Sequence, residues 1–269
     1  MKLNQHQFVM KIIYVIATIL LSLSLCRAQS INPKPTLDEA YKQELVRLLT
    51  GLQKNGWSGW KTGTVVVRRY LGNNDEKVKP FTYAQPDLVF EIVEADRRVA
   101  MTQVVKGKPY RDESPIKAQA AVAISPFELK DVTAASLEVD GFTLSCLLRE
   151  YPAMIVNDGP SSPGSKVWRL ASHPTLLLRK EFGTTTWEVA SVRVTKKIGS
   201  QEFECVKTIA KSTIYVDGPM EVITTQYVSP DVPGHLVEQI EEFYKVNKEG
   251  KERILSMVVH QQVVEVRVP

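Results

Sequence analysis

The feature that most constrains this chain is a change in hydrophobic period near Gly63, from the period of a helix to that of β-strands. Beyond Gly63, apolar residues alternate with polar ones or form short β-branched runs bounded by Gly, Asp and Pro, which is typical of strands joined by tight turns. The predicted strands cover 64–70, 88–93, 99–105, 137–139, 142–148 and 264–268. We therefore expect a mainly β (α+β) protein.

One amphipathic helix precedes the strands. Thr36 and Glu39 form a capping box, in which the hydroxyl accepts from an early helix N–H and the carboxylate reaches back to the cap. Apolar residues then recur every three or four positions until Asn55-Gly56, so we predict a helix over 37–54. Its apolar stripe, expected to cover one face of the sheet, consists of Leu37, Tyr41, Leu45, Leu48 and Leu52.

Three further segments depart from the strand pattern. Ser125-Pro126-Phe127-Glu128 predicts a second short helix, with Ser as N-cap and Pro at the first helical position. Turn-forming residues at Lys106–Pro115 and Asn157–Gly164 predict linkers. The Asp140-Gly141 dipeptide predicts a two-residue hairpin turn, because both residues tolerate positive φ.

A weak internal repeat organises the second half of the chain. Cys146 and Cys205 lie 59 residues apart, each in a predicted strand that follows a glycine turn, and a Ser…Pro…Leu series recurs downstream at a similar offset. We predict two four-strand meander units, 136–197 and 198–262, followed by a terminal strand and continuous with 29–135 as one domain. Two such units would form a curved antiparallel sheet or half-barrel with the helix over its apolar face.

Residues 1–28 have the layout of a secretory signal peptide: basic Lys2 and Lys11, an apolar run Ile12–Leu25, and a small residue, Ala28. Fourteen residues at about 1.5 Å each are too short to cross a bilayer core of roughly 30 Å. We predict cleavage after Ala28 and an exported, periplasmic or secreted product without an integral membrane span. An uncleaved anchor, or a lipoprotein acylated at Cys26, is the alternative.

Removal of this segment changes the charge and the cysteine count. The whole chain has 34 Lys and Arg against 30 Asp and Glu, a formal charge of +4, but residues 1–28 hold three of the cations and no acid. The remainder is nearly neutral, which argues against a nucleic-acid partner. Cys146 and Cys205 remain, so either one disulfide or two buried thiols is expected.

Motifs for catalysis or metal binding are sparse. His173, His235 and His260 show no metal-ligand spacing, and we interpret His173 and His235 as bend residues. Ser58 and Lys61 fit the S-x-x-K pattern of penicillin-binding proteins, but the companion motifs of that family are missing. We predict no catalytic residue, no metal and no cofactor, so the protein is not expected to be an enzyme.

Two segments resemble a known family. Tyr227–Val237 (YVSPDVPGHLV) is similar to a segment of exported bacterial lipoprotein carriers of the LolA/LppX type. Gly56–Val65 (GWSGWKTGTV) is similar to the opening of secreted β-rich proteins. The resemblance implies a half-barrel whose concave side is plugged by helices and holds an apolar cavity for acyl chains. The two-unit repeat and the small number of helices depart from that pattern.

These observations favour an exported, noncatalytic protein that binds or carries an apolar or amphipathic, lipid-like ligand between helix and sheet. An envelope structural or protein-interaction module is the alternative, and a hydrolase that uses Ser58 and Lys61 is a third hypothesis. The side chains expected to contact the ligand are Trp57, Trp60, Leu45, Leu48 and Leu52.

Overall fold

The computed structural model describes residues 39–71, 87–116, 130–153, 163–215, 218–246 and 253–269. The chain divides after Lys42 into two compact units. Of the first unit, only the start of a helix lies among the described residues. Apart from residues 39–42 of that helix, everything described below belongs to the second unit, Gln43–Pro269.

One helix and thirteen strands make up the regular structure of the described residues. Helix α1 spans Glu39–Leu52 and confirms the predicted helix, although Thr36 of the capping box lies outside the described residues. The strands are β1 (Val65–Leu71), β2 (Leu88–Glu94), β3 (Arg98–Val105), β4 (Lys108–Pro115), β5 (Val132–Val139), β6 (Phe142–Tyr151), β7 (Ser165–Leu170), β8 (His173–Phe182), β9 (Thr185–Ile198), β10 (Gln201–Tyr215), β11 (Pro219–Val228), β12 (Leu236–Val246) and β13 (Arg253–Arg267).

All thirteen strands belong to one antiparallel sheet that is not closed. Its order is β4-β3-β2-β1-β13-β12-β11-β10-β9-β8-β7-β6-β5, so β4 and β5 form the two edges. Neighbours in the sheet are neighbours in the chain except at β1 and β13, where Val65 pairs with Arg267. This pairing places the first strand of the chain beside the last. The predicted mainly β class is confirmed.

The sheet is strongly curved. Cα atoms of β9 lie within 8 Å of Cα atoms in both β5 and β13, although three strands separate β9 from each of them. In a flat sheet, strands that far apart would be about 19 Å distant. The carboxylate of Asp140, in the β5–β6 turn, accepts a hydrogen bond from the backbone N–H of Val192 in β9 at 2.8 Å. The expectation of a curved antiparallel sheet is therefore confirmed.

Turn geometry explains where the sequence predictions succeed and where they fail. Asp140 and Gly141 have φ values of 53° and 78°, as predicted for a two-residue hairpin. Lys106 and Gly107 have the same combination, 52° and 74°, and join β3 to β4. The prediction of a linker over Lys106–Pro115 is wrong, because Lys108–Pro115 form strand β4. This strand is exposed along its whole length, so its sequence lacks the apolar alternation of a half-buried strand.

Other predictions fall partly or wholly outside the described residues. The short helix at 125–128 and most of the 157–164 linker lie there. The terminal strand predicted at 264–268 is part of the longer β13, which reaches back to Arg253. The cysteine-bearing strands β6 and β10 each begin a run of four antiparallel strands, β6–β9 and β10–β13. Duplication of one unit into two stays a prediction.

Cys146 and Cys205 are free, buried thiols, so the disulfide alternative is wrong. They lie on β6 and β10, with three strands between them. Each thiol donates to the carbonyl two residues before it, Leu144 O at 3.5 Å and Phe203 O at 3.4 Å. Burial raises the pKa of the Cys146 thiol, and it raises the pKa of Cys205 to about 11. Both side chains therefore behave as small core residues.

A close contact between two glycine-containing segments attaches the end of α1 to the sheet. The backbone N–H of Gly234, in the β11–β12 connection, donates to Gly56 O at 2.7 Å. A Cβ placed on Gly234 would lie 2.5 Å from the ring of Trp57, and one placed on Gly51 would lie 2.6 Å from Pro230. The two segments approach this closely because glycine carries no side chain at these points.

Replacement of Gly234 by alanine tests this contact, with Gly107 as a matched control. Both glycines have nearly equal positive φ, 75° and 74°, but a Cβ on Gly107 meets nothing within 4 Å. We expect Gly107→Ala to lower the free energy of unfolding by about 1 kcal/mol, the cost of the left-handed backbone, and Gly234→Ala by about 2–5 kcal/mol, since overpacking is added. Urea unfolding of both variants measures the difference. Equal losses would contradict the contact.

Candidate functional site

A cavity of about 490 Å³ lies between the end of α1 and strands β7–β11, and we call it the helix–sheet cavity. Its volume lies within the range of about 300–1,000 Å³ that is usual for small-molecule sites. Most of its wall is apolar because successive strands present leucine, valine and tryptophan towards the helix. The apolar lining residues are Leu49, Leu52, Leu176, Leu177, Trp187, Val189, Val206 and Val228.

A few polar side chains interrupt this apolar wall. Gln53, just after α1, donates its amide N–H to Thr175 O of β8 at 2.6 Å and so fastens the helix end to the sheet. Gln226 donates to the Gln239 side chain at 2.7 Å. The other polar residues that line the cavity are Arg169, Thr175, Thr208 and His235. A largely apolar wall with few polar groups suits a ligand that is itself apolar or amphipathic.

A second cavity of about 510 Å³ lies at the same end of α1, and we call it the helix-end cavity. Its wall is more polar and includes the charged side chains of Arg47, Lys54 and Asp231 together with Ser58 and Trp60. Arg47 also forms an ion pair with Glu204. His235 lines both cavities, so the two share one side chain.

His235 links the segment that follows α1 to the β11–β12 connection. Its backbone has a φ of 61°, and its ring lies between two carbonyl oxygens, with Nε2 3.0 Å from Lys54 O and Nδ1 3.2 Å from Ser229 O. Carbonyl oxygens only accept hydrogen bonds, so a neutral ring donates to one of them and an imidazolium donates to both. The residue interpreted from sequence as a bend residue therefore also links the helix end to the β11–β12 connection.

The five side chains predicted to contact a ligand occupy different places. Leu52 lines the helix–sheet cavity, and Trp60 lines the helix-end cavity. Leu45 and Leu48 are fully buried and line neither. Trp57 stacks on Phe90 with ring centroids 5.3 Å apart. These last three side chains support the packing of the helix and its following segment rather than a cavity wall.

The residues that sequence reasoning missed are on the strands. Leu176, Trp187 and Val206 have the alternation of ordinary half-buried strand residues, and only the position of α1 decides which part of the sheet forms the cavity wall. The spacing of apolar residues in the helix does not predict where on the sheet the helix lies. His235 was noted in the sequence, but its two carbonyl partners are set by the fold.

Outside the cavities, the partly exposed side chains of Lys196 and His260 form a cluster around the buried carboxylate of Glu238 on β12. His260 Nε2 lies 2.7 Å from one carboxylate oxygen, and Lys196 of β9 forms an ion pair with the other. The Lys196 ammonium also lies 3.8 Å from the ring centroid of Tyr227. Burial favours the protonated acid, but the bonds from Lys196 and His260 outweigh it and hold the pKa of Glu238 below its ordinary value.

Ser58 and Lys61, the two residues of the S-x-x-K pattern, have different hydrogen-bond partners in the structure. The Lys61 ammonium lies 3.5 Å from Pro269 O, and the backbone N–H of Ser58 donates to Asn55 O at 2.9 Å. Across the described ranges, no group of three or more His, Cys, Asp or Glu side chains is placed to hold a metal ion. In the same part of the chain, no helix has both the length and the apolar character needed to cross a membrane.

No protein-family model, curated protein or solved structure matches the chain.

Neutralising Glu238 tests whether its cluster stabilises the fold. Because the pKa of this carboxyl is lowered in the folded state, the stabilisation is present at neutral pH and is lost as the pH falls through the folded-state pKa. We expect Glu238→Gln to lower the free energy of unfolding at neutral pH by about 1–3 kcal/mol, because Lys196 loses its buried partner.

The pH dependence separates this effect from a general loss of packing. The difference between parent and Glu238→Gln should shrink as the pH falls below about 4, the ordinary range of a glutamate. Glu202→Gln is the control, since its exposed pair with Lys197 at 3.1 Å contributes only about 0–1 kcal/mol. Chemical denaturation over a pH series measures both variants. A difference that stays constant from neutral to acid pH would contradict the role of the charge.

Proposed function

We propose that this protein is an exported, noncatalytic binding or carrier protein that holds an apolar or amphipathic, lipid-like ligand in the helix–sheet cavity. The observation that carries the proposal is the wall of that cavity, which is largely leucine, valine and tryptophan with a few polar side chains. The apolar segment Ile12–Leu25 supports export. Placement of the ligand outside the cytoplasm rests on that segment alone.

The energetics favour an acyl chain as the buried part of the ligand. Each methylene transferred from water to an apolar wall contributes about 0.8 kcal/mol, so ten methylenes supply about 8 kcal/mol. That amount is enough to offset part or all of the cost of association, which is about 4–15 kcal/mol. A small polar ligand would gain little from the apolar residues of this cavity.

The helix-end cavity suits the polar end of the same ligand. It shares His235 with the helix–sheet cavity, so the two cavities adjoin at this side chain, and the proposal places the head group of a ligand bound in the first cavity at the second. Lys54 and Arg47 lie in its wall with one carboxylate, Asp231, and Arg47 is also paired with Glu204. Lys54 and Arg47 can donate hydrogen bonds to a carboxylate or phosphate head group.

The finer fold hypothesis belongs to this proposal. It has three parts: the N-terminal helix covers one face of the sheet, the sheet arose from two meander repeats, and the protein is related to lipoprotein carriers of the LolA/LppX type. Together these features would account for a cavity between helix and sheet. The contacts of Leu49, Leu52 and Gln53 with that cavity support the first of these features.

The second candidate function is a protein-interaction module that uses a sheet edge. Edge strand β4 favours it, since all eight of its residues are exposed. The same strand carries Pro109 and Pro115 and four charged residues, features that hinder edge-to-edge pairing. We therefore place ligand binding first.

Filling the helix–sheet cavity tests the proposed function. Val228 lines the cavity, and Val228→Phe adds a ring to its wall. We expect the affinity for dansyl-undecanoic acid, a fluorescent fatty acid, to fall by at least about tenfold, or about 1.4 kcal/mol. Val268→Phe is the matched control, because it makes the same change at an exposed residue outside both cavities. Fluorescence titration measures the three affinities.

Two results would contradict the proposal. One is a parent protein that does not bind the probe. The other is equal binding by the parent and both variants, which would place the probe elsewhere, for instance on the apolar segment Ile12–Leu25. Mass spectrometry of an organic extract of the purified protein then identifies the class of any ligand that it carries.

A further inference from the structure

Most of the exposed large apolar side chains lie at one end of the sheet. Seven such residues occur in the described part of the chain, with exposed fractions of 44–79%. Six of them belong to strand ends or hairpin turns at the same end, and we call these six the apolar rim. The apolar rim consists of Val104, Val105, Tyr110, Phe182, Tyr215 and Ile254.

The register of the sheet places these residues at the same end of the sheet. Val246 at the end of β12 pairs with Arg253 at the start of β13, next to Ile254, and Tyr215 at the end of β10 pairs with Pro219. In an antiparallel sheet these turns alternate between the two ends, so the β8–β9 turn after Phe182 and the β3–β4 turn after Val105 lie at this same end. Val268, the seventh residue, lies at the opposite end, beyond the Val65–Arg267 pair.

Positive charge accompanies the rim at its β3–β4 hairpin. Lys106 and Lys108 flank the turn, and residues 103–110 contain no Asp or Glu. Neither lysine forms an ion pair with a described residue. Farther along the rim, the Lys180 ammonium lies 6.0 Å from the ring centroid of Phe182. The apolar rim therefore combines exposed apolar side chains with two lysines at the β3–β4 turn that form no ion pair with a described residue.

We propose that the apolar rim docks the protein on the surface of an anionic lipid membrane. Valine, isoleucine and aromatic side chains at the tips of turns enter the interface between water and lipid, where Tyr and Phe are well accommodated. Lys106 and Lys108 meet the negative charge of the lipid head groups. This inference goes beyond ligand binding, because it concerns a surface formed by residues that line neither cavity.

The arrangement favours a membrane over a protein partner. A specific protein interface needs a continuous, closely packed apolar core. The rim instead presents one to three side chains from each of four separate hairpin turns, which span the sheet from β3 to β8. Separate tips can enter a fluid lipid interface independently, without a matching rigid surface opposite them.

A fluorescent probe at each end of the sheet tests the docking orientation. Val105→Cys and Val268→Cys, each in a Cys26→Ser background, are labelled with an environment-sensitive dye, since Cys146 and Cys205 are buried. The labelled proteins are mixed with vesicles of equal parts phosphatidylcholine and phosphatidylglycerol. We expect a blue shift and quenching by brominated lipid for the probe at Val105 and neither for the probe at Val268.

The same pair of probes distinguishes rim docking from other causes of membrane binding. Attachment through the N-terminal apolar segment alone would leave the Val105 probe in water, and that result would overturn the proposal. So would equal insertion of both probes, or no response to any vesicle, which would favour a protein partner. Each of these results is independent of fatty-acid binding. If the rim does not dock, the proposed ligand function is still tested by the fluorescence titration of the parent, Val228→Phe and Val268→Phe.

The charge of the rim is tested separately. Replacing Lys106 and Lys108 by glutamine should reduce the partitioning onto these anionic vesicles by about thirtyfold, the effect of two lysines near an anionic surface. The control replaces Lys61 and Lys197, which lie towards the opposite end, and should change partitioning little. We expect weak binding of the parent to pure phosphatidylcholine. Equal binding to neutral and anionic vesicles, or equal losses in the two double variants, would contradict the proposed anionic surface.

Discussion

The contact between Gly56 and Gly234 determines the position of the end of α1 on the sheet. The hydrogen bond from Gly234 N to Gly56 O, 2.7 Å long, requires two backbones to approach where a side chain would collide with Trp57. His235 follows at once and holds carbonyl oxygens from both segments. The helix–sheet cavity and the helix-end cavity share this side chain, so the geometry of both depends on the same attachment.

Curvature of the sheet is the second determinant of the structure. An open antiparallel sheet of thirteen strands would leave much of its apolar surface uncovered if it were flat. The approach of β9 to β13 encloses a core of valines, together with Ile198 and Cys205. The same curvature brings Lys196 of β9 to Glu238 of β12 across two intervening strands.

The sequence predicted features that depend on local chemistry. The helix follows from its apolar spacing, and the β5–β6 hairpin follows from the positive φ that Asp140 and Gly141 tolerate. Strand β4 was missed because the rule used for strands detects burial on one face, and this strand is buried on neither. Its turn, Lys106-Gly107, has the same backbone geometry as the turn that was predicted.

Features that depend on distant strands could not be predicted in the same way. The helix–sheet cavity combines residues from α1 with residues of five strands, and an apolar strand residue has the same pattern whether it faces a cavity or a packed core. The Glu238 cluster joins Glu238 to side chains that are 22 and 42 positions away in the chain. The cysteine count allowed a disulfide, but only the fold shows that three strands separate the thiols.

Quenching by a brominated fatty acid tests whether an acyl chain binds between α1 and the sheet. Trp187 lines the helix–sheet cavity, whereas Trp168 lies outside both cavities with its ring 5.2 Å from Arg179. Titration with dibromostearate should quench the parent and Trp168→Phe strongly. We expect most of the quenching to disappear in Trp187→Phe. If Trp187→Phe is quenched as strongly as the parent, the acyl chain does not lie in this cavity.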